Sequence, residues 1–330
     1  MNEADLILAD KIISHQVALL RYSASEKNRI MALFAQMEKE LKAKLASDDI
    51  TEFTRQRLEK LLEECTAVIE SFYGKMQNEV DATNLAKTEV RASTNIIASI
   101  GLEASIPTAV TVKALIADTL LQGAPLADWW AKQAEDTAFK FMAQVRQGVA
   151  QGETLQQIIT RIVGSKKKGI PGIMDISRRN ALTLVHDSVM QITNDARMAV
   201  YRENDDIIKG VRWLATLDGH TCLRCIPRDG KMWTLDGKPL NTNLTFSMPP
   251  AHPACRCVLC PVTKTMKELG IDVEELPKGT RASDLGQIPA DTSFDAFLAR
   301  HSDEYLNKLL GPGRAELYRK GKITLNQLID

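Results

Sequence analysis

The sequence predicts an α+β protein that is predominantly helical. It has a long N-terminal helical hairpin or bundle, a small β-containing domain closed by a Cys/His knot, and a helical C-terminal tail. Three observations support this fold class. Apolar residues recur every three or four positions through most of the first two hundred residues. Gly, Pro, Asn and Asp then become frequent up to Pro261, and helical periodicity returns near the C-terminus. Such a change of period is typical of helices joined to a small loop-rich unit.

Residues 1–105 are predicted to form an N-terminal helical hairpin that acts as a docking arm. Ser47-Asp48-Asp49 can end one helix and cap the next, and the apolar pattern then resumes from Thr51 towards Ile97. The two long helices are interpreted either as a bundle arm or as an oligomerisation or docking surface. The apolar residues that share one face of the first helix are Ile30, Phe34, Met37, Leu41 and Leu45.

Residues 106–174 are predicted to form a helical segment that ends in a basic loop. The stretch from Val110 to Val149 is helical in pattern with a turn near Gly123, and a short helix follows over 152–162. The loop contains three consecutive lysines between glycines. These can contact DNA phosphates or an acidic partner, or can simply be solvated. The three residues are Lys166, Lys167 and Lys168.

Residues 175–265 are predicted to form the core domain. A helix is expected from Asp175 to about Glu203, with Arg197 on its polar side, and a strand is expected over 211–216. The turn dipeptides that follow the strand are typical of a small β-containing unit.

Residues 266–330 are predicted to form a C-terminal linker and a helical tail. A short helix near 264–269 precedes a linker that contains Pro, Gly and Ser, and a terminal helical segment is expected over 293–330. Only about 70 residues follow the last cysteine, which leaves little room for a further enzymatic domain.

The composition argues against several classes of protein. Lys plus Arg number 42 and Asp plus Glu number 42, so the formal net charge is zero rather than basic as in most dedicated nucleic-acid binders. No apolar run approaches the ~20 residues of a membrane span, and the acidic N-terminus does not resemble a signal peptide. We therefore expect a protein made in a cytoplasm, without membrane association. In that reducing compartment clustered cysteines favour metal over disulfides.

Five of the six cysteines lie within 39 residues, and together with a histidine they form a pattern typical of a metal site. Cys222-x-x-Cys225 is followed, after 26 residues, by His252-x-x-Cys255-x-Cys257-x-x-Cys260. Two close cysteines on a turn supply half of a tetrahedral site, and a second cluster completes it. Thiolate and imidazole are the ligands of structural Zn²⁺, so one structural zinc per chain is expected.

Six residues compete for four ligand positions. Cys255 and Cys257 would point to the same side of an extended chain, and this favours including both. His252 is the main competitor, Cys260 is a reserve and His220 is a weaker candidate, whereas the isolated Cys65 is predicted to be a small buried hydrophobic residue. The first choice of ligands is Cys222, Cys225, Cys255 and Cys257.

A site with four protein ligands would stabilise the local fold rather than catalyse a reaction. A metal-dependent nuclease or transferase is the alternative, and it would use Asp218, His220 and His252. Asp218, Asp229 and Asp236 each precede a glycine, which is typical of turns. The sequence contains no P-loop, dinucleotide-binding, nucleophile-elbow or HExxH signature.

The residues around the two clusters resemble the core motif of the phage Mu F-like head morphogenesis family. The resemblance rests on the run from Trp213 to Cys225, on Asp229-Gly230, and on Pro-Pro-Ala-His-Pro-Ala-Cys-Arg-Cys ending at Cys257. The helix before the motif and the tail 310–325 are also similar to members of the family. Cys260 lies outside the usual motif.

This resemblance implies a non-enzymatic minor head protein of a tailed phage. Such proteins act in procapsid assembly in the host cytoplasm, are then found in the virion head, and in some cases are ejected with the DNA. The partners that the resemblance implies are the portal protein and the major capsid or scaffold protein. Contact with phage DNA through the three loop lysines is a further expectation.

Overall fold

A computed structural model describes residues 3–47, 55–165, 169–265, 268–269, 280–289 and 291–328 of the chain. The chain divides into two compact units. The Cys/His unit comprises 1–20, 82–118 and 190–330, and the helical unit comprises 21–81 and 119–189. Each unit is therefore built from segments that are distant in sequence.

Helices dominate the described part of the chain, as predicted. Two short 3-10 helices, Ile226–Arg228 and Leu325–Leu328, supplement the α-helices. The α-helices are α1 (Glu3–Ala46), α2 (Arg55–Gln77), α3 (Ala82–Ala98), α4 (Ala109–Asp118), α5 (Leu126–Ala150), α6 (Leu155–Val163), α7 (Ile173–Glu203), α8 (Phe294–Leu298), α9 (Asp303–Leu310) and α10 (Pro312–Arg319).

The strands are short and all pair antiparallel. One three-stranded sheet has the order β4-β3-β5, and two hairpins pair β1 with β2 and β6 with β7. The strands are β1 (Leu120–Leu121), β2 (Ala124–Pro125), β3 (Ile208–Leu214), β4 (Met232–Trp233), β5 (Val258–Thr263), β6 (Thr280–Ser283) and β7 (Gly286–Pro289). This mixture of helices and small sheets confirms the predicted α+β class.

The helical unit contains the predicted hairpin. The later part of α1 runs antiparallel to α2, since Lys44 pairs with Glu64 at 3.1 Å while the rings of Phe34 and Tyr73 meet at 5.9 Å. The apolar face predicted for the first helix is buried, because Ile30, Phe34, Met37, Leu41 and Leu45 all belong to the core of this unit. Cys65 lies in the same core, which agrees with its predicted role as a buried hydrophobic residue.

Helix α6 confirms the short helix expected near 152–162 and begins with a capping box. The Thr154 hydroxyl accepts from the Gln157 N–H at 3.3 Å, and the Gln157 side-chain oxygen accepts from the Thr154 N–H at 2.7 Å. The loop beyond it is closed by two backbone bonds between Ser165 and Ile170. Lys166, Lys167 and Lys168 lie outside the described residues, so their contact with DNA stays a prediction.

One apolar cluster of the Cys/His unit lies on its three-stranded sheet. The first turns of α1 place Leu8 and Ile12 against Val258 and Cys260 of β5. Strand β3 confirms the strand predicted over 211–216, although it begins three residues earlier.

Helix α7 matches the helix predicted from Asp175 to Glu203, but the later part of its polar side, which includes His186, Asp187 and Arg197, is buried. Arg197 is fully buried and pairs with the equally buried Glu89 at 2.6 Å. His15 contacts the other oxygen of Glu89 at 2.6 Å, and Ser93 donates to Glu89 at 3.1 Å. Burial raises the pKa of Glu89, but the Arg197 and His15 contacts outweigh it, and the net pKa is lowered. A helix packed on several sides can thus carry a charge when a buried partner neutralises it.

The C-terminal segment forms short helices over 294–319, as predicted. The sequence did not predict the β6–β7 hairpin, which lies in the expected linker and turns at Asp284-Leu285. Where the short helix was expected near 264–269, the Leu269 N–H donates to the Thr265 carbonyl at 3.0 Å, and 266–267 lie outside the described residues. Among the helices that the structure describes, none is both long and apolar enough to cross a membrane.

Candidate metal centre

The two predicted clusters meet at one end of the three-stranded sheet. In the antiparallel register, Leu214 at the end of β3 lies opposite Val258 at the start of β5. The segment that leaves β3 carries Cys222 and Cys225, and the segment that enters β5 carries His252, Cys255 and Cys257. Strand pairing therefore brings together residues that are about 30 positions apart in sequence.

The first cluster lies on a tight turn before the 3-10 helix Ile226–Arg228. The N–H groups of Cys225 and Ile226 both donate to the Cys222 carbonyl, at 3.0 and 3.1 Å. In the second cluster the Cys255 N–H donates to the His252 carbonyl at 3.2 Å. Backbone hydrogen bonds therefore hold both clusters in tight turns that do not require a metal.

The side-chain donors lie close together, near or below the spacing that they would have around a metal ion. His252 Nε2 is 3.0 Å from the sulfur of Cys222 and 3.2 Å from that of Cys225, and the sulfurs of Cys225 and Cys255 are 3.9 Å apart. Around tetrahedral zinc, bond lengths of ~2.3 Å to sulfur and ~2.0 Å to nitrogen place donors about 3.6–3.8 Å apart. The five donors form two overlapping groups, each within 4.8 Å: Cys222, Cys225 and His252, and Cys225, Cys255 and Cys257.

The His252 ring is oriented by a neighbouring carbonyl. Its Nδ1 lies 2.8 Å from the Pro253 oxygen, so Nδ1 carries the proton and Nε2 faces the thiols. A metal-binding histidine is usually held in this way, with one ring nitrogen donating to a backbone carbonyl and the other facing the ion.

The pKa of the Cys222 thiol and the pKa of the His252 imidazole are shifted in opposite directions within this cluster. The hydrogen bond with Cys225, followed by that with His252, lowers the pKa of Cys222 to about 4 although burial opposes the shift. Contacts with Cys222 and then Cys255 raise the pKa of His252 to about 10. The lowered pKa favours the thiolate form of Cys222, which is the form that binds a metal, and a metal cation would take the place of the imidazolium proton. The donor set therefore fits a thiophilic ion such as Zn²⁺.

The nearby aspartates are engaged in other contacts. Both oxygens of Asp218 bind Arg256 at 2.7 Å, and one also accepts from the His220 N–H at 2.9 Å. Although burial alone would raise the pKa of Asp218, these contacts lower it. The His220 side chain is exposed and belongs to neither donor group. Asp236 is exposed in a turn before Gly237, as its sequence predicts.

Asp229 has a role that its sequence did not reveal. Its side chain is 1% exposed and pairs with Arg281 of β6, which is 3% exposed, at 3.0 Å. It also accepts from the Ala215 N–H at 2.8 Å, while Arg281 donates to the Ala215 carbonyl at 2.8 Å. The C-terminal segment is therefore joined by a buried ion pair to the loops that carry the donors.

Cys260 is separated from the donor clusters. It lies within β5 opposite Arg212, is 1% exposed and packs in the apolar core of the Cys/His unit. Burial raises its pKa to about 12, so it remains a neutral thiol. Its position agrees with its absence from the family motif.

Comparison with known proteins supports the family resemblance. Residues 140–260 match the family described as Phage Mu protein F like protein. This region includes α7, β3, β4, the first half of β5 and all five donor residues, and it is a Mu F-like region as the motif predicted. No curated protein and no solved structure matches the chain.

Proposed function

We propose that this chain is a minor head protein of a tailed phage that acts in head assembly. The observation that carries the proposal is the Mu F-like region at 140–260, which includes the Cys/His donor cluster. In this proposal the protein is produced in the host cytoplasm, joins the procapsid near the portal and remains in the virion head. It can then leave the head with the DNA.

The role of the metal in this proposal is structural. Cysteine thiolates and one imidazole can fill all four positions around a zinc ion, so no position is left for a reacting water. The carboxylates that an enzyme would need as acid or base, Asp218 and Asp229, are paired with Arg256 and Arg281. One Zn²⁺ per chain would join the two loops at the end of the sheet.

The helical unit offers a groove for docking. It runs between α2 and α5 and is lined by Trp130, Met142 and Phe139, whose side chain is 67% exposed. The charged residues that line it, Glu70 and Glu135, are both acidic. We expect a segment of the portal protein to occupy the groove, with an apolar side chain against Phe139 and basic residues facing the two glutamates.

The test is incorporation into heads. Mass spectrometry of purified heads, and of portal protein co-expressed with the full chain, should detect this protein in both. Its absence from both would overturn the assignment to the head.

A charge in the groove tests the docking surface separately. Phe139→Asp should reduce incorporation at least about tenfold, as expected for a residue at the centre of an interface. Ile176→Asp is the matched control, because Ile176 is an exposed apolar residue of the helical unit outside the groove. Equal incorporation of the two variants would exclude the groove as the docking surface while leaving the head assignment intact.

A further inference from the structure

Five donor residues lie around the candidate zinc site, whereas a tetrahedral zinc ion binds four ligands. The backbone conformation separates four of these residues from the fifth. Cys222 and Cys225 span one turn, and His252 and Cys255 span another. In each turn the N–H of the fourth residue donates to the carbonyl of the first, at 3.0 and 3.2 Å. The two pairs are therefore equivalent in construction, each with two donors three residues apart on one turn. Such a spacing lets both side chains reach a single ion.

The four turn donors are also connected through space. His252 Nε2 lies within 3.2 Å of both sulfurs of the first turn, and Cys225 reaches Cys255 of the second at 3.9 Å. His252 and Cys255 also interact with each other. Small adjustments of these contacts towards about 3.6–3.8 Å would complete a tetrahedron around zinc.

Cys257 stands apart from both turns. It follows the second turn, immediately before β5, and is 4% exposed. Its sulfur lies within 4.8 Å of the sulfurs of Cys225 and Cys255, but it lies outside the turn that Cys255 closes with His252.

We propose that Cys222, Cys225, His252 and Cys255 bind the zinc, and that Cys257, a thiol outside the ligand set, positions the ligand sulfurs. The assignment rests on the proposed metal site and differs from the ligand choice made from sequence spacing. The Cys257 S–H donates to a ligand thiolate of Cys225 or Cys255. Donors of this kind orient the ligands and adjust metal affinity, so Cys257 is a positioning residue.

X-ray absorption at the zinc edge tests the assignment on the unmodified full chain. The expected result is about one zinc per chain with three sulfur ligands and one nitrogen ligand. Four sulfur ligands would overturn the assignment while confirming the metal site. A folded protein without zinc would instead overturn the metal site itself.

Matched variants test each position. Cys255→Ser should lose zinc, whereas Cys257→Ser, two residues away and equally buried, should keep about one zinc per chain. Cys260→Ser is the control for loss of a buried thiol outside the cluster. Loss of zinc from Cys257→Ser together with its retention by His252→Ala would reverse the assignment. If a variant fails to fold, the absorption measurement on the unmodified chain decides.

Cys257→Ser also tests the positioning role. This variant should bind its one metal ion with an affinity about 10- to 100-fold lower. In the cobalt-substituted protein, the sulfur-to-cobalt charge-transfer band should shift while the tetrahedral d–d bands persist. An unchanged band and affinity would remove Cys257 from this role.

Discussion

The helical unit and the Cys/His unit bury different kinds of groups. In the helical unit, α1, α2, α5 and α7 contribute a large core made almost entirely of apolar side chains. In the Cys/His unit, one apolar cluster packs on the sheet, and Trp213 and Phe297 are among the apolar residues buried elsewhere in the unit. This unit also contains buried ion pairs and five metal-type donors. The helical unit therefore depends mainly on apolar contacts, whereas the Cys/His unit depends on paired charges and metal-type donors as well.

This difference indicates where each unit is sensitive to substitution. An apolar core relaxes around a changed side chain and tolerates volume-conserving replacement. A buried charge or a metal ligand does not tolerate such replacement, because removing one partner leaves the other buried without its hydrogen bond or opposite charge. We therefore expect the largest effects in the Cys/His unit.

Removal of the metal should have the largest effect. Apparent zinc-binding free energies of ~10–16 kcal/mol in zinc-finger peptides are as large as the whole stability of a typical domain, about 5–15 kcal/mol. In Cys222→Ser/Cys225→Ser, elemental analysis should find the loss of about one zinc per chain. Hydrogen exchange should then show loss of protection in β3 and β5, while α2 and α5 stay protected.

The control for this comparison is Cys65→Ala, which removes a buried thiol from the helical unit. It should keep full zinc content and protection in β3 and β5. A metal-free double variant that keeps native protection in both strands would mean that the Cys/His unit does not depend on the metal.

Breaking the Asp229–Arg281 pair should have the next largest effect. Asp229→Ala leaves a buried guanidinium without its carboxylate, which costs about 3–5 kcal/mol. Urea unfolding should show this loss, and Asp229→Ala/Arg281→Met should lose less than the sum of the two single variants. Additive losses would show that the two side chains are not coupled.

An exposed pair in the helical unit gives the matching control. Glu59 and Arg146 contact each other at 2.6 Å, but their side chains are 42% and 46% exposed. Solvent screens such pairs and their contribution is small, so Arg146→Ala should leave the urea midpoint unchanged within error. A large shift there would contradict the contrast between the two units.

The same contrast explains how much could be predicted from sequence. The helix face of Ile30, Phe34 and Met37 was predictable because burial follows a regular period of 3.6 residues. The buried state of Arg197 was not, since its partner Glu89 lies on a helix more than a hundred residues away in sequence. Periodicity reveals which positions face a core, but not which charges are paired there.

The metal centre was predictable to a similar extent. The spacing of its cysteines and His252 indicated the cluster, because ligand type and local spacing are fixed by the ion. The spacing did not distinguish His252 from Cys257, and the proposed choice between them rests on the two turns that the backbone forms. It also gave no indication that Arg281 would pair with Asp229, because 52 residues separate them. Asp229-Gly230 was interpreted only as a turn.

The capping box of α6 should give the smallest effect. Thr154→Ala removes the oxygen that accepts from the Gln157 N–H. This N–H group, at the start of the helix, can then bind only to solvent. Losses of about 1 kcal/mol are typical of such caps. The urea midpoint should therefore fall slightly, with zinc content unchanged, and Thr154→Ser should restore it because serine also caps. A loss as large as that of Asp229→Ala would mean that this exposed turn supports the helical unit as strongly as a buried ion pair supports the other.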